Sequence, residues 1–134
     1  MVRGNSLIND LRLLINNPRY SDLEIICKDN YVLYGNRAIL AARSEVFERV
    51  LFTRSEDLDK QVSFLKIEAS SMKIILEYLY TGTVLERDIT TNNAFETLNA
   101  ADFFQLENLQ DLIYKKMCEK EGNENKSPEL LSKA

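Results

Sequence analysis

Residues 70–81 carry the sequence pattern that most limits how this chain of 134 residues can fold. Apolar and aromatic side chains surround the axis of the helix predicted there, at Ile74, Ile75, Leu76, Tyr78, Leu79 and Tyr80. A helix that is apolar on most sides has to be covered by other elements on most sides. Gly82 follows it, at the position where helices commonly end in a left-handed residue. We therefore expect this helix to form the centre of a single core.

The segment at residues 5–16 is predicted to be an amphipathic helix that stops before Pro18. Its apolar stripe covers an arc of roughly 120°, the width of an ordinary core-facing surface. The stripe consists of Leu7, Ile8, Leu11, Leu14 and Ile15, and Leu13 lies off it. One core could absorb such a stripe, so the pattern permits but does not require a partner for this helix.

A β-hairpin is predicted next. Leu23, Ile25 and Cys27 alternate with the residues between them, which is the period of a strand. The dipeptide Asp29-Asn30 tolerates turn geometry, and the β-rich residues 31–34 follow it.

A helical hairpin follows the β-hairpin. Asn36 is placed to cap a helix over residues 37–42, and Ser44 is placed to cap one over residues 45–52. The polar residues 53–61 are predicted to form a loop. Further along the chain, strands are predicted over residues 62–67 and 83–85, and helices over residues 92–101 and 105–118.

The composition changes after residue 118, so we assign one domain to residues 1–118. Residues 119–126 are polar and are predicted to be a flexible linker. Residues 127–134 begin with Ser127-Pro128, a typical helix start, and are interpreted as the first turn of a following helical segment.

Absent residue types argue against catalysis. The chain has no His, which removes Ser-His and Cys-His pairs and the commonest metal ligand, and it has no phosphate-binding glycine motif. We expect no enzyme activity, cofactor or metal.

The net charge of −4 disfavours nucleic acid as a partner, and no apolar run approaches the ~18 residues that span a bilayer. Two Cys on separate elements suggest reduced thiols and a cytoplasmic or nuclear location.

Four segments, in order, resemble the BTB/POZ family between about residues 5 and 117. They are Tyr20-Ser21-Asp22-Leu23 at the entry to the first strand, AILAARSEVF at residues 38–47, LEYLYTG at residues 76–82 and AADFFQL at residues 100–106. The resemblance implies an α+β fold, in which a small β-sheet is flanked by about six α-helices that include helical hairpins. It also implies a protein-protein interaction module.

Dimeric members of the family carry an Asp and an Arg in a charged pocket at the two-fold axis, and the matching residues here are Asp22 and Arg37. The resemblance thus implies a homodimer, with Leu7, Leu11, Leu13, Leu14, Asp22 and Arg37 at the interface. In the alternative, Asp22 caps local backbone and Arg37 is a solvated residue in the first turn of its helix. The family usually has His where this chain has Asn36.

Members that recruit a cullin tend to carry a hydrophobic-x-Glu motif after the helical hairpin. The corresponding loop has Lys60 where Glu is expected. Leu51, Phe52, Glu56, Leu58 and Lys60 are therefore the candidate cullin-docking residues, with an imperfect motif.

The leading hypothesis is a dimeric substrate adaptor of a cullin-based ubiquitin ligase, with clients bound by a downstream domain. The alternatives are a scaffold or transcription-associated dimeriser that binds no cullin, and a channel-type tetramerisation domain.

Overall fold

The computed structural model of the protein describes residues 2–52 and 60–124. Within them the chain has an α+β fold, as predicted, with six α-helices and a three-stranded sheet. The elements in chain order are α1 (Leu7–Arg12), β1 (Leu23–Ile26), β2 (Val32–Gly35), α2 (Arg37–Arg43), α3 (Glu45–Phe52), β3 (Gln61–Ser63), α4 (Ala69–Thr81), α5 (Ala94–Phe103) and α6 (Glu107–Glu124). Single 3₁₀ turns lie at Lys28–Asn30 and Glu86–Asp88.

The sheet has the order β2-β1-β3. Strands β1 and β2 form the predicted antiparallel hairpin, in which Leu23 pairs with Gly35. The turn between them places Asp29 and Asn30 at φ 62° and 59°, in the left-handed region that these two residue types tolerate. Strand β3 lies on the other side of β1 and runs parallel to it.

Helix α4 forms the centre of the core, as its sequence predicts. All of its residues from Ile74 to Tyr80 are buried, and α1, α2, β2 and α5 pack around it. Gly82 ends the helix at φ 79°, and its N–H donates to the carbonyl of Tyr78. In the same core, the rings of Phe47 and Phe104 stack with their centroids 4.9 Å apart.

The helical hairpin α2–α3 is present, but one of its predicted caps is different. Ser44 caps α3 as predicted, because its Oγ accepts the N–H of Phe47 at 3.2 Å. Asn36 precedes α2 without capping it through its side chain, so that prediction is wrong. Its amide instead forms hydrogen bonds with the hydroxyl of Tyr80 and the carbonyl of Tyr20.

Two predicted strands differ from the structure. The strand predicted over 62–67 is β3 at Gln61–Ser63, because the chain turns where the N–H of Ile67 donates to the carbonyl of Phe64. Residues 83–85 belong to no strand in the described structure. Local partners take their backbone groups instead: Thr81 Oγ1 donates to the Thr83 carbonyl, and the Leu85 N–H donates to the Glu77 carboxylate.

Two helices have ends that differ from prediction. Helix α1 is shorter than residues 5–16, since residues 13–16 form turns that finish with Asn16 at φ 48°. Helix α6 continues to Glu124, past the predicted end at 118 and into the predicted linker 119–126, where Glu and Lys are good helix formers. The helical segment predicted over residues 127–134 lies outside the described residues.

Candidate interaction surfaces

Helix α1 exposes apolar side chains. Ser6 caps it by accepting the N–H of Asn9 at 3.2 Å. None of the six residues of the helix is buried, and Leu7 and Ile8 are 74% and 42% exposed. The predicted apolar stripe is therefore divided, because Leu14 and Ile15 pack against the core while Leu7 and Ile8 face away from it.

An ion pair fastens α1 to the centre of the fold. Arg12 Nη1 donates to Glu77 Oε2 at 2.5 Å, and Glu77 is buried in α4 with only 5% of its surface exposed. The N–H of Leu85 donates to the same oxygen at 3.1 Å. Burial raises the pKa of Glu77; the Arg12 guanidinium opposes this, and the Asp88 carboxyl, which hydrogen-bonds to Glu77, raises the pKa further.

We did not predict this ion pair from the sequence, although the sequence contains an indication of it. Glu77 is the one acidic residue in an otherwise apolar stretch of α4. A charged side chain at a core position needs an ionic or hydrogen-bonding partner. Arg12, on a neighbouring amphipathic helix, could have been proposed as that partner.

The leucines predicted for a dimer interface all lie on the N-terminal segment, but with different exposure. Leu7 is the most exposed, whereas Leu11, Leu13 and Leu14 are half-buried within the single chain. Leu13 is the residue that follows α1, and its carbonyl accepts a hydrogen bond from the amide of Asn17 at 2.8 Å.

Asp22 and Arg37 are brought together through the backbone. Asp22 Oδ1 accepts the N–H of Arg37 at 2.8 Å, so Asp22 supplies the side-chain cap of α2 from outside the helix. The guanidinium of Arg37 extends to the end of α3, where Nη2 donates to the carbonyl of Leu51 at 3.1 Å. It also lies 4.8 Å from the centroid of the Phe52 ring. Within the single chain Asp22 is exposed and Arg37 is half-buried.

The candidate cullin-docking residues are only partly described. Leu51 is buried at 5% exposure, so its side chain belongs to the core, whereas Phe52 is 50% exposed. Lys60 is exposed just before β3. Glu56 and Leu58 lie outside the described residues. Of the apolar pair at the end of α3, Phe52 alone therefore offers surface to a partner.

A groove that the sequence prediction did not identify opens between α5 and the turn before α4. Its volume is about 490 Å³, and its lining includes Leu65 and Phe103. The signal was the pair Phe103-Phe104, because two neighbouring aromatic side chains rarely both face one core; Phe103 ends α5 and Phe104 follows it. Phe104 is buried, and Phe103 is 53% exposed.

Residues 2–52 and 60–124 contain no group of three or more acidic or thiol side chains arranged to hold a metal ion. In the same ranges, no helix is both long enough and apolar enough to cross a membrane.

Comparison with known proteins gives one family. The family model described as "BTB/POZ domain" matches residues 11–121. BTB/POZ domain-containing protein 19 from Homo sapiens is 32% identical over 104 residues, which are 76% of this chain and 35% of that protein. Kelch repeat and BTB domain-containing protein 8 from Homo sapiens is 30% identical over 114 residues, which are 84% of this chain and 18% of that protein. The chain thus spans about a third or less of the length of these relatives.

Solved structures show the same fold. The BTB domain of human gigaxonin superimposes with a TM-score of 0.61 at 20% identity, covering 86% of this chain and 96% of that domain. The BTB domain of zebrafish PATZ1 superimposes with a TM-score of 0.62 at 18% identity, covering 89% of this chain and 99% of that domain.

Proposed function

Since the chain belongs to the BTB/POZ family of protein-interaction modules, we propose that it forms a homodimer through α1 and docks other proteins on the surfaces that remain free. The observation that carries the proposal is the exposure of α1. Leu7 is 74% exposed on a helix that has no buried residue, although Arg12 of this helix forms an ion pair with Glu77 of the core. A second copy of α1 would cover these apolar side chains across a two-fold axis.

The oligomeric mass of the chain tests this proposal. We expect light scattering after size-exclusion chromatography to give twice the chain mass of 15.5 kDa at micromolar concentration. Leu7→Asp should give the single-chain mass, because it places a charge in an apolar contact. Phe95→Asp is the matched control, since Phe95 is 71% exposed on a different helix, α5. A wild-type chain of single mass, or a Leu7→Asp dimer, would contradict the proposal.

Asp22 and Arg37 need a separate test, because a cap on α2 explains their contact within one chain. Asp22→Asn keeps a good capping side chain but loses the charge. If the two residues form a charged pocket at the two-fold axis, Asp22→Asn and Arg37→Gln should each weaken the dimer. An unchanged dimer mass and unchanged stability for both variants would leave Asp22 with its capping role alone.

A second proposed function is that of a cullin-based ubiquitin-ligase adaptor, favoured by the half-exposed Phe52 ring at the end of α3. The guanidinium of Arg37 holds this ring from one side. Lys60, exposed where cullin-binding relatives tend to carry Glu, opposes docking. Titration calorimetry with a cullin N-terminal domain should show binding that Phe52→Ala weakens and Lys60→Glu strengthens. No heat at tens of micromolar, with the dimer intact, would favour a scaffold or transcription-associated dimeriser.

A further inference from the structure

The guanidinium of Arg37 contacts the end of a helix to which Arg37 does not belong. Helix α3 ends at Phe52, and the last carbonyl groups of a helix have no partner within it. Arg37, at the start of α2, donates from Nη2 to the carbonyl of Leu51 at 3.1 Å. A cation at this end of a helix also complements the helix dipole. The side chain of Arg37 therefore stabilises the end of α3 from the neighbouring helix.

The same guanidinium lies beside an exposed aromatic ring. Its central carbon is 4.8 Å from the centroid of the Phe52 ring, within the range of a cation–π contact. Phe52 is 50% exposed, whereas the side chain of Leu51 before it is buried. An exposed side chain loses rotamer freedom when a partner binds it, and this loss weakens binding. A contact that favours one arrangement of the ring in the free protein reduces that loss.

The backbone of Arg37 has a partner in a third segment. Asp22 Oδ1 accepts the N–H of Arg37 at 2.8 Å, and Asp22 immediately precedes β1. Asp22, Arg37 and Phe52 are thereby joined by direct contacts within one chain. None of these contacts requires a second copy, so they do not depend on the proposed dimer.

We propose that Arg37 is a positioning residue, which keeps the Phe52 ring and the end of α3 in the arrangement that a docking partner meets. This inference rests on the proposed function in that a partner binds at Phe52, whereas the positioning itself is a property of the single chain. It gives Arg37 a role beside the one in the proposed charged pocket at the two-fold axis. The two roles can be separated by experiment, because only the pocket requires a dimer.

A tryptophan at position 52 can report the positioning, because the chain has no Trp of its own. The indole of Phe52→Trp keeps an aromatic face for the guanidinium. In this background we expect Arg37→Gln to raise the quenching of the indole by acrylamide about twofold, and to increase the ring motion seen in time-resolved anisotropy. Arg37→Lys keeps the cation but not the planar fork, so its quenching should lie between the two.

Arg43→Gln is the matched control, because Arg43 lies on the same helix and makes the same two kinds of contact elsewhere. Its Nε donates to the carbonyl of Leu79 at 2.9 Å, and its guanidinium lies 5.7 Å from the centroid of the Tyr78 ring. Arg43→Gln should leave the quenching of the indole unchanged, and thermal unfolding checks that every variant is folded.

The quenching is measured again with Leu7→Asp added, because the mass of that variant tests the proposed dimer separately. The effect of Arg37→Gln should be the same with and without Leu7→Asp. The proposal is overturned if Arg37→Gln leaves the quenching unchanged, if Arg43→Gln changes it equally, or if Leu7→Asp abolishes the effect.

Docking is measured by titration calorimetry with the cullin N-terminal domain, again in the Leu7→Asp background and with Phe52 in place. Arg37→Gln should weaken binding about fivefold, whereas Arg43→Gln should change it less than about twofold. Binding that Arg37→Gln leaves unchanged would overturn the positioning role. A complete lack of binding by wild type would contradict the proposed docking at Phe52, and the quenching would still decide whether Arg37 positions the ring.

Discussion

Arg12 of α1 and Glu77 of α4 form an ion pair at 2.5 Å that ties the most exposed helix of the fold to its most buried one. Glu77 has 7% of its side chain exposed and Arg12 has 25%. The pair links α1 to α4, although no residue of α1 is buried.

Removal of the arginine should destabilise the fold, because Glu77 would remain buried without its cation. We expect Arg12→Ala to lower the free energy of unfolding by about 2 kcal/mol in urea titrations. Arg19→Ala is the control, since Arg19 is exposed. The double variant Arg12→Met/Glu77→Met should recover part of the loss. Equal midpoints for Arg12→Ala and Arg19→Ala would show that the pair contributes nothing.

The pH dependence of stability should depend on Asp88. Burial and the Asp88 carboxyl raise the pKa of Glu77 above its unfolded value. Ionised Glu77 is therefore less favourable in the folded protein than in the unfolded chain. The free energy of unfolding falls as the pH rises from the ordinary pKa of Glu to the raised pKa of Glu77 in the folded protein. Asp88→Asn should flatten this fall and stabilise the protein at neutral pH by about 0.5 kcal/mol.

Urea unfolding at steps between about pH 4 and 8 measures this effect. Glu86→Gln is the control, because Glu86 is an exposed carboxylate in the same 3₁₀ turn. The prediction would be contradicted if the free energy of unfolding changed with pH in the same way for wild type and for Asp88→Asn.

Gly35 lies where β2 meets the core. A Cβ there would lie 2.9 Å from Leu40 Cδ1 and 3.1 Å from Ile25 Cδ1, both on buried side chains. We expect Gly35→Ala to cost about 2 kcal/mol in thermal or urea unfolding. Ile25→Val removes Ile25 Cδ1, one of the two atoms that would obstruct the new Cβ. The double variant Ile25→Val/Gly35→Ala should therefore lose less stability than the two single variants lose in sum. If the stability losses of the two single variants simply add in the double variant, the contact with Ile25 is not the cause of the loss at Gly35.

The two cysteines should differ in reactivity. Cys27 is fully buried, and burial raises the pKa of its thiol to about 11, whereas Cys118 is half-buried on α6. Iodoacetamide at about pH 8 should therefore alkylate Cys118 well before Cys27. Peptide mass mapping over time gives both rates, and urea should equalise them. Equal rates in the folded protein would contradict the burial of Cys27.

Local patterns predicted most of the elements but not the contacts between them. Helix α4 and the cap at Ser44 were predictable because periodicity and capping act over a few neighbouring residues. Asn36 was the local choice to cap α2, yet Asp22, which precedes β1, takes that role once the hairpin brings it close. The same limit applies to Arg12 and Glu77, whose pairing requires two helices to be docked.

The candidate surfaces were also only partly predictable from the sequence. Resemblance and periodicity identified Leu7, Asp22 and Arg37, but they could not separate exposed from buried members of a stripe or of the Leu51-Phe52 pair. The groove at Leu65, Glu96 and Phe103 joins two segments that are distant in sequence, so no single window contains its pattern.

The parallel pairing of β3 with β1 has a consequence for the order of folding. The side chains of Glu24 and Gln61, 37 positions apart in the sequence, form a hydrogen bond across this pair, whereas the β1–β2 hairpin joins near neighbours. Closing the longer loop costs more chain entropy before any contact forms. Strand β3 should therefore join the sheet after the β1–β2 hairpin has formed, and substitutions at Val62 should accelerate unfolding more than they slow folding.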